Sequence, residues 1–468
     1  MSNYYLAIDL GASGGRHILG HTEDGKLILE EVHRFSNAPL RQGGALVWDD
    51  ERIFGEIAAG IAKCGALGRI PHSVAIDTWG VDYALIDKKG EPVKPVYSYR
   101  DSRTAPFLNT RPSFEELYAV TGTAAQPFNT VYQLLADKAA GRLEGAEDML
   151  FLPEYFSLRL TGNLGGKLFS EYTIASTTGL LDARRRSWAE GIIGDLGLPQ
   201  RLFKPVKIPP YEAGMLGDAL RRQAGFDTRV VMVGSHDTAS AVGTVESDAL
   251  YISSGTWSLL GIQGEPILSA EARDAGYTNE GTLTGKIRFL KNIMGLWILQ
   301  QIRHELGDAH SFAQLEEEAR KAGEKAGGAQ TDWFIDVNLP QFMNPPSMIE
   351  AVKAEYSRNG QRVPETPGEL AFCVYSSLAQ CYRQAIRDLE GLTGKTYAAI
   401  SVIGGGSRDA YLNSLTAART GKRVYAGPAE ATAVGNLLTQ MKLAGDPAVE
   451  QGFPPLVKRS FDVKECLF

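Results

Sequence analysis

The chain opens on a strand, a glycine-rich turn and a second strand, and that opening limits the architectures it can enter. Tyr4 to Leu10 reads as a buried strand, cut off by Gly11-Ala12-Ser13-Gly14-Gly15. Arg16 to Gly20 resumes an extended pattern, and Lys26 to Phe35 alternates as a third strand. Strand, tight turn and strand make a hairpin rather than a strand-to-helix opening. The two commonest phosphate-binding patterns are accordingly missing. A P-loop needs GxxxxGK[ST], but Gly394-Lys395-Thr396 has Leu389 where the first glycine should stand. No segment supplies the GxGxxG that opens the helix of a Rossmann unit.

The same pattern recurs in the second half. Arg229 to Val233 is a β-branched strand that empties into Gly234-Ser235-His236-Asp237-Thr238. Ala249 to Ser254, Gly255 and Trp257 to Ile262 then repeat strand, glycine turn and strand. Between the two hairpins lie an amphipathic helix with Ile53, Ile57 and Ile61 four residues apart, and a short strand from Ser73 to Ile76 ending at Asp77-Thr78-Trp79-Gly80-Val81-Asp82. Asp49 or Asp50 caps that helix. Further on, a long helix around Glu369 to Leu389 precedes a last buried strand, Ala398 to Ile403, which runs into Gly404-Gly405-Gly406. This reads as a duplicated α/β architecture: two domains, 1–243 and 244–468, with a cleft between them.

Composition narrows the functional classes. The chain has 468 residues, 44% hydrophobic and 22% charged, with a formal net charge of −7 and no charge blocks. A general nucleic-acid binder would show a basic patch or stripe, so no nucleic-acid partner is expected. The four cysteines, Cys64, Cys373, Cys381 and Cys466, have no CxxC spacing and form no disulfide framework. No leader-like N-terminus and no run of 18 apolar residues occurs. The expectation is a soluble cytoplasmic protein without a membrane partner.

Phosphate groups need converging backbone N–H donors unobstructed by Cβ atoms, which glycine clusters provide. Any one of the clusters at 11–15, 254–256 and 404–406 can equally be an ordinary turn. The first is more informative, because Asp9 closes the strand just before it and can hold Mg²⁺, directly or through water. Asp237 follows a buried strand and suits the carboxylate that accepts an alcohol's proton in phosphoryl transfer; it can also simply cap a helix. His236 can meet a substrate or a neighbouring side chain, and Trp79 can face a sugar or the core. No HExxH or GxSxG segment supports a hydrolase.

Eight segments in order carry a resemblance: AIDLGASGGR (7–16), IDTWGVDYALID (76–87), YRDSRT (99–104), LPEYFSLRLTG (152–162), SHDTASAV (235–242), YISSGTWSLLG (251–261), LKNIMGLWILQ (290–300) and VIGGGSRDAYLN (402–413). Together they resemble the FGGY family of carbohydrate kinases, whose fold is that of the actin, hexokinase and heat-shock ATPase group (ribonuclease H-like halves). The resemblance implies transfer of the γ-phosphoryl of ATP, with Mg²⁺, to the 1-hydroxyl of a ketose, L-rhamnulose. It assigns the ATP phosphate loop to Ala12, Ser13, Gly14, Gly15 and Arg16, and further nucleotide contacts to Thr256, Gln300 and Gly405. Sugar contacts fall on Gly80, His236, Asp237, Thr238 and Asn292, the general base on Asp237, and the metal-organising carboxylate, acting through water, on Asp9. The family's loop usually reads ASSGR, and Gly14 here replaces its second serine. Family members for fuculose, xylulose or glycerol are the alternatives within this reading. An actin- or chaperone-like ATPase is the alternative outside it, one that needs no small polar substrate pocket around Asp82, His236 and Asn292.

Overall fold

The computed structural model describes residues 3–109, 111–164 and 169–466. The chain forms two compact units, 1–247 with 263–289 and 431–460, and 248–262 with 290–430 and 461–468. The chain first leaves the first unit after Ser247, whereas the expected boundary stood at Gly243. Because 263–289 and 431–460 return to it, no single cut separates the two.

The first unit is built on a six-stranded sheet. Its strands are β1 (Tyr4–Gly11), β2 (Gly14–Glu23), β3 (Lys26–Ser36), β4 (Pro71–Thr78), β5 (Tyr211–Met215) and β6 (Arg229–Met232), in the order β5-β6-β4-β1-β2-β3. The opening hairpin is real: β1 and β2 pair antiparallel, and only Ala12 and Ser13 lie between them. β4 joins β1 in parallel, and β6 joins β4 in parallel. Leu6, Ile8 and Leu10 of β1 pack with Val74 and Ile76 of β4 and with Ile53, Ile57 and Ile61 of the Asp50–Ala66 helix. The four-residue apolar spacing in that helix therefore faces the sheet, with Asp49 as its N-cap. A second core, including Tyr83, Leu134, Phe151, Tyr172 and Ile193, lies under the 83–202 segment.

The second unit repeats the scheme. β7 (Leu250–Ser254) and β8 (Trp257–Gly264) form an antiparallel hairpin around Gly255-Thr256. β9 (Ala399–Ile403) joins β7 in parallel, β10 (Arg423–Ala426) follows in parallel, and β11 (Lys464–Cys466) closes that edge antiparallel. The Pro367–Thr393 helix opens with a capping box between Thr366 and Glu369 and has Gly394 as its left-handed C-cap. A hairpin extended by parallel strands, occurring in both units, is the duplication inferred from the two glycine turns.

All four cysteines are unpaired. Among the described residues, no helix is long and apolar enough to cross a membrane.

The helix carrying the candidate base, Asp237–Val242, packs on the returning Ala431–Leu443 helix at close backbone range. A Cβ at Gly435 would lie 1.8 Å from the Ser240 carbonyl oxygen. Gly435→Ala must therefore push the two helices apart, at a cost of about 1–3 kcal/mol. A fall in the chemical-denaturation midpoint, relative to a control change at the solvent-open Gly391, checks this.

Candidate active site

Parallel pairing brings three carboxylates to neighbouring strand ends of the first unit. Asp9 and Asp77 are partners across β1 and β4, so both side chains stand on the same face. Thr78 bridges to His236, its N–H donating to the Ser235 carbonyl at 2.8 Å, which sets Asp237 beside the same edge. Each acid acquires compensation. Arg16 Nη2 donates to Asp9 Oδ2 at 2.6 Å, and Asn436 Nδ2 donates to Asp77 Oδ2 at 2.6 Å. Asp237 Oδ1 accepts from the Thr238 N–H at 2.5 Å and from its hydroxyl at 3.1 Å. Burial, then repulsion from Asp9, holds Asp77 well above the usual carboxylate range. The same two causes, in the same order, push Asp237 up to about 7. Asp77 is fully buried, whereas Asp237 keeps 33% of its side chain exposed.

The expected phosphate turn, Ala12 to Arg16, lies beside these acids. Asn37 pins it, donating from Nδ2 to the Gly11 carbonyl (3.1 Å) and from its backbone N–H to the Ser13 carbonyl (3.0 Å). Arg52 steadies Asn37 from the neighbouring helix through Asn37 Oδ1 at 3.0 Å. A Cβ at Gly15 would strike the Phe35 ring at 2.3 Å, and one at Gly14 would come within 3.0 Å of the Phe35 carbonyl. Gly14, where the family usually has serine, thus eases the contact between β2 and β3.

His236 and Asp237 are set by buried groups remote in sequence. Glu171 accepts the Ser235 N–H at 3.1 Å, together with the N–H groups of Thr173 (2.8 Å) and Ile174 (3.2 Å). The Thr173 hydroxyl donates to Glu171 at 2.6 Å and accepts the His236 N–H at 3.2 Å. The His236 ring meets Arg288 Nη2 at 2.9 Å through Nδ1, and Arg288 is paired with Glu280 at 3.0 Å. Glu171, Glu280 and Arg288 escaped sequence reasoning. The available signal for Arg288 was a charge inside the apolar run Ile287-Arg288-Phe289-Leu290.

Two sequence expectations resolve differently. Asp82 is not part of an open substrate pocket. It is wholly buried, and its Oδ2 accepts from Trp48 Nε1 (2.7 Å), Trp79 Nε1 (2.9 Å) and the Tyr99 N–H (3.1 Å), while Oδ1 accepts from Gln133 Nε2 (3.1 Å). A carboxylate with no exposed surface and four donors upon it is closed to a ligand. It fixes two indoles, whose centroids lie 4.4 Å apart. Trp79 is accordingly a core residue, 8% exposed. Next to it, Val81 has φ +67°, a conformation costly for a β-branched residue, by about 1–3 kcal/mol. Its N–H donates to Thr177 Oγ1 (3.3 Å), and its carbonyl accepts from Thr130 Oγ1 (2.8 Å) and Gln133 Nε2 (3.3 Å). These bonds hold Gly80, half-buried, in a fixed place.

In the second unit, Thr256 is exposed in the β7–β8 turn. The backbone N–H groups of Gly295 and Trp297 donate to its carbonyl at 3.1 and 3.2 Å, which ties the start of the Trp297–Glu305 helix, bearing Gln300, to that turn. Gly295 permits the approach, since its Cβ would meet the Trp257 backbone at 2.6 Å. Gly404 and Gly406 press on Ser254, whereas Gly405 is exposed with open space around it. Asn292 is half-buried on the Ile287–Met294 strand.

Mg²⁺ accepts one or two carboxylates and retains several waters. Asp9 and Asp77 offer hard oxygens side by side, and Asp77 Oδ1 is buried with no hydrogen-bond partner. Among the described residues, no group of three or more His, Cys, Asp or Glu side chains forms a ready metal cage. That donor set fits a largely hydrated cation.

The chain as a whole is similar to known proteins over nearly its full length. Residues 4–243 match the N-terminal domain, and residues 250–444 the C-terminal domain, of the FGGY family of carbohydrate kinases. A rhamnulokinase of Halalkalibacterium halodurans is 41% identical over 470 residues, covering 99% of this chain and 98% of the relative. One from Bacillus subtilis is 39% identical, covering 98% and 94%. Solved structures of similar fold include a ligand-bound xylulose kinase from Lactobacillus acidophilus (TM-score 0.78, 16% identity, covering 100% and 94%) and a Plasmodium falciparum glycerol kinase with ADP (TM-score 0.75, 14% identity, covering 99% and 94%).

Two outcomes test this geometry. Asp82→Ala strands two indole N–H groups, a backbone N–H and an amide. Each buried donor left unpaired costs about 1–3 kcal/mol, so the variant should lose at least about 3 kcal/mol of stability and alter tryptophan emission. If Asp237 must be ionised to act, kcat/KM for the acceptor should climb about tenfold per pH unit below its pKa and level off above it. With that pKa raised to about 7, a flat profile from pH 5 to 8 would exclude Asp237 as the base.

Proposed function

The chain belongs to the FGGY family of carbohydrate kinases, and from that premise we propose that it transfers the γ-phosphoryl of ATP to the 1-hydroxyl of L-rhamnulose, giving L-rhamnulose 1-phosphate and ADP. The choice of sugar rests on the near full-length relatives, which are rhamnulokinases. The single observation that supports the chemistry best is Asp237. It is a carboxylate with raised proton affinity, partly exposed, and carried on a segment anchored by Glu171 and Thr173.

Asp237 takes the proton of the sugar 1-hydroxyl as that oxygen attacks the γ-phosphorus; a base of raised pKa accepts it with little penalty near neutral pH. Thr238, bonded to Asp237, keeps the carboxylate oriented. His236, Gly80 and Asn292 contact the sugar. The backbone of Ala12, Ser13, Gly14 and Gly15, with Arg16, receives the phosphates, and Thr256, Gln300 and Gly405 contact the nucleotide. Asp9 would hold Mg²⁺, which when bound would neutralise charge on the phosphate oxygens. Arg16 also balances Asp9 when no cation is bound. Water must be kept from the γ-phosphoryl, since an accessible water would compete with the sugar as acceptor.

A coupled ADP-release assay over ketoses and polyols tests the reading. L-Rhamnulose should give the highest kcat/KM. ATP turnover independent of sugar would instead indicate an ATPase, and turnover with xylulose or glycerol alone would indicate another specificity. Asp237→Asn should lower kcat by about 10²–10⁴-fold, the usual contribution of a general base, while ATP affinity stays near that of the native enzyme. Near-normal turnover in that variant removes Asp237 as base.

A further inference from the structure

We propose that Arg288 is a positioning residue that fixes the tautomer of His236, leaving Nδ1 bare and the proton on Nε2, so that the ring presents a hydrogen-bond donor on its Asp237 side. The inference deepens the kinase reading and rests on it for the statement that His236 contacts the sugar.

The argument begins with what each group can do. A guanidinium has donors and no acceptor, so the 2.9 Å contact between Arg288 Nη2 and His236 Nδ1 requires a lone pair on Nδ1. A neutral imidazole then carries its proton on Nε2. That nitrogen lies 3.4 Å from Asp237 Oδ1, on the side of the reacting carboxylate. A charged ring, protonated at both nitrogens, would set an N–H against the guanidinium. Burial and then Arg288 accordingly hold His236 well below its ordinary titration range. The ring therefore neither competes with Asp237 as a base nor brings a second positive charge to the site.

Arg288 is itself built in. Its side chain is 0% exposed, Nε donates to the Gly281 carbonyl at 2.9 Å, and Nη2 is shared between His236 and Glu280. Nη1 is buried without a hydrogen-bond partner. So expensive an arrangement does not improve packing, because an apolar side chain of the same size would fill the space without burying charge. What it achieves is a choice between two acids' claims on one ring. Glu280 Oε2 lies 3.5 Å from His236 Nδ1, close enough to accept a proton from it. Without Arg288, the carboxylate would draw the proton to Nδ1 and turn Nε2 from a donor into an acceptor. The charged groups facing the ring are thus Arg288 and Glu280 on the Nδ1 side and Asp237 on the Nε2 side. Thr173, from the short Tyr172–Ala175 helix, contacts only the His236 backbone.

Long-range ¹H–¹⁵N correlation on the full chain, labelled at its seven histidines, reads the protonation of each ring nitrogen. His236 is identified by the signals lost in His236→Gln. The native protein should show Nε2–H and a bare Nδ1. In Arg288→Met the proton should move to Nδ1, and kcat/KM for the sugar should fall by up to about 100-fold, as small displacements of a positioned group do, with KM for ATP unchanged. Arg288→Lys, which keeps a cationic donor, should recover part of both. An Nδ1–H signal in the native protein overturns the proposal, and that measurement needs no variant to fold. A native tautomer in Arg288→Met removes Arg288 as its determinant, and a changed tautomer with native sugar kinetics removes its functional role. The spectrum is independent of which sugar is phosphorylated, so failure of the sugar assignment and failure of this inference are separately visible.

Discussion

Parallel pairing of β1 with β4 sets Asp9 against Asp77, and the bridge from Thr78 to His236 adds Asp237 to the same strand ends. Like charges so close raise one another's proton affinity and oppose folding unless cations or donors offset them. Much of the polar structure of the first unit supplies that offset. Arg16, from the partner strand of the opening hairpin, meets Asp9. Asn436, almost 360 residues further along the chain, meets Asp77. The β1–β2 hairpin therefore does more than form a glycine turn, because its return strand also carries the counter-charge.

The same crowding accounts for the return of the chain at 431–460. Asn436 Oδ1 accepts from Gln440 Nε2 at 2.7 Å, Gln440 Oε1 accepts from the Ser73 hydroxyl at 2.6 Å, and Gln440 Nε2 also reaches the Leu6 carbonyl at 3.0 Å. A buried amide relay of this kind is favourable only when nearly every member is satisfied. It couples the Ala431–Leu443 helix to the strands that carry the acids. The Gly435 approach to Ser240 brings that helix equally close to the one beginning at Asp237. One returning helix thus braces both Asp77 and the segment that carries Asp237.

What the sequence revealed, and what it concealed, follows from the range of the interactions. The hairpins, the Asp50–Ala66 helix and the long Pro367–Thr393 helix depend on local periodicity and caps, and these were legible. Asp9 and Asp237 stood out because each closes an apolar strand. Asp82 misled for the same reason. A carboxylate after a strand looks like a ligand group until its partners, Trp48 and Gln133, arrive from 34 and 51 residues away. Glu171, Glu280 and Arg288 were illegible in another sense. Their neighbours in sequence carry no catalytic pattern, and their meaning lies wholly in contacts that folding creates. The interleaving of the two units is of the same kind, since no composition shift marks the return at Ala431.

The remaining contrast is between acids of one charge type and opposite uses. Asp82 and Glu171 are sealed, each accepting four hydrogen bonds, so their burial yields rigidity: fixed indoles in one case, an anchored Ser235–His236 segment in the other. Asp77 is sealed with one oxygen unpaired. Asp237 alone among these combines a raised proton affinity with a side chain one-third open. A general base needs both properties. Full exposure would return its pKa to the ordinary carboxylate range and weaken it as a proton acceptor near neutrality, whereas full burial would leave it nothing to deprotonate. Residues that only position, such as Glu171, are free of the second requirement and can be buried without limit, provided that every lone pair finds a donor.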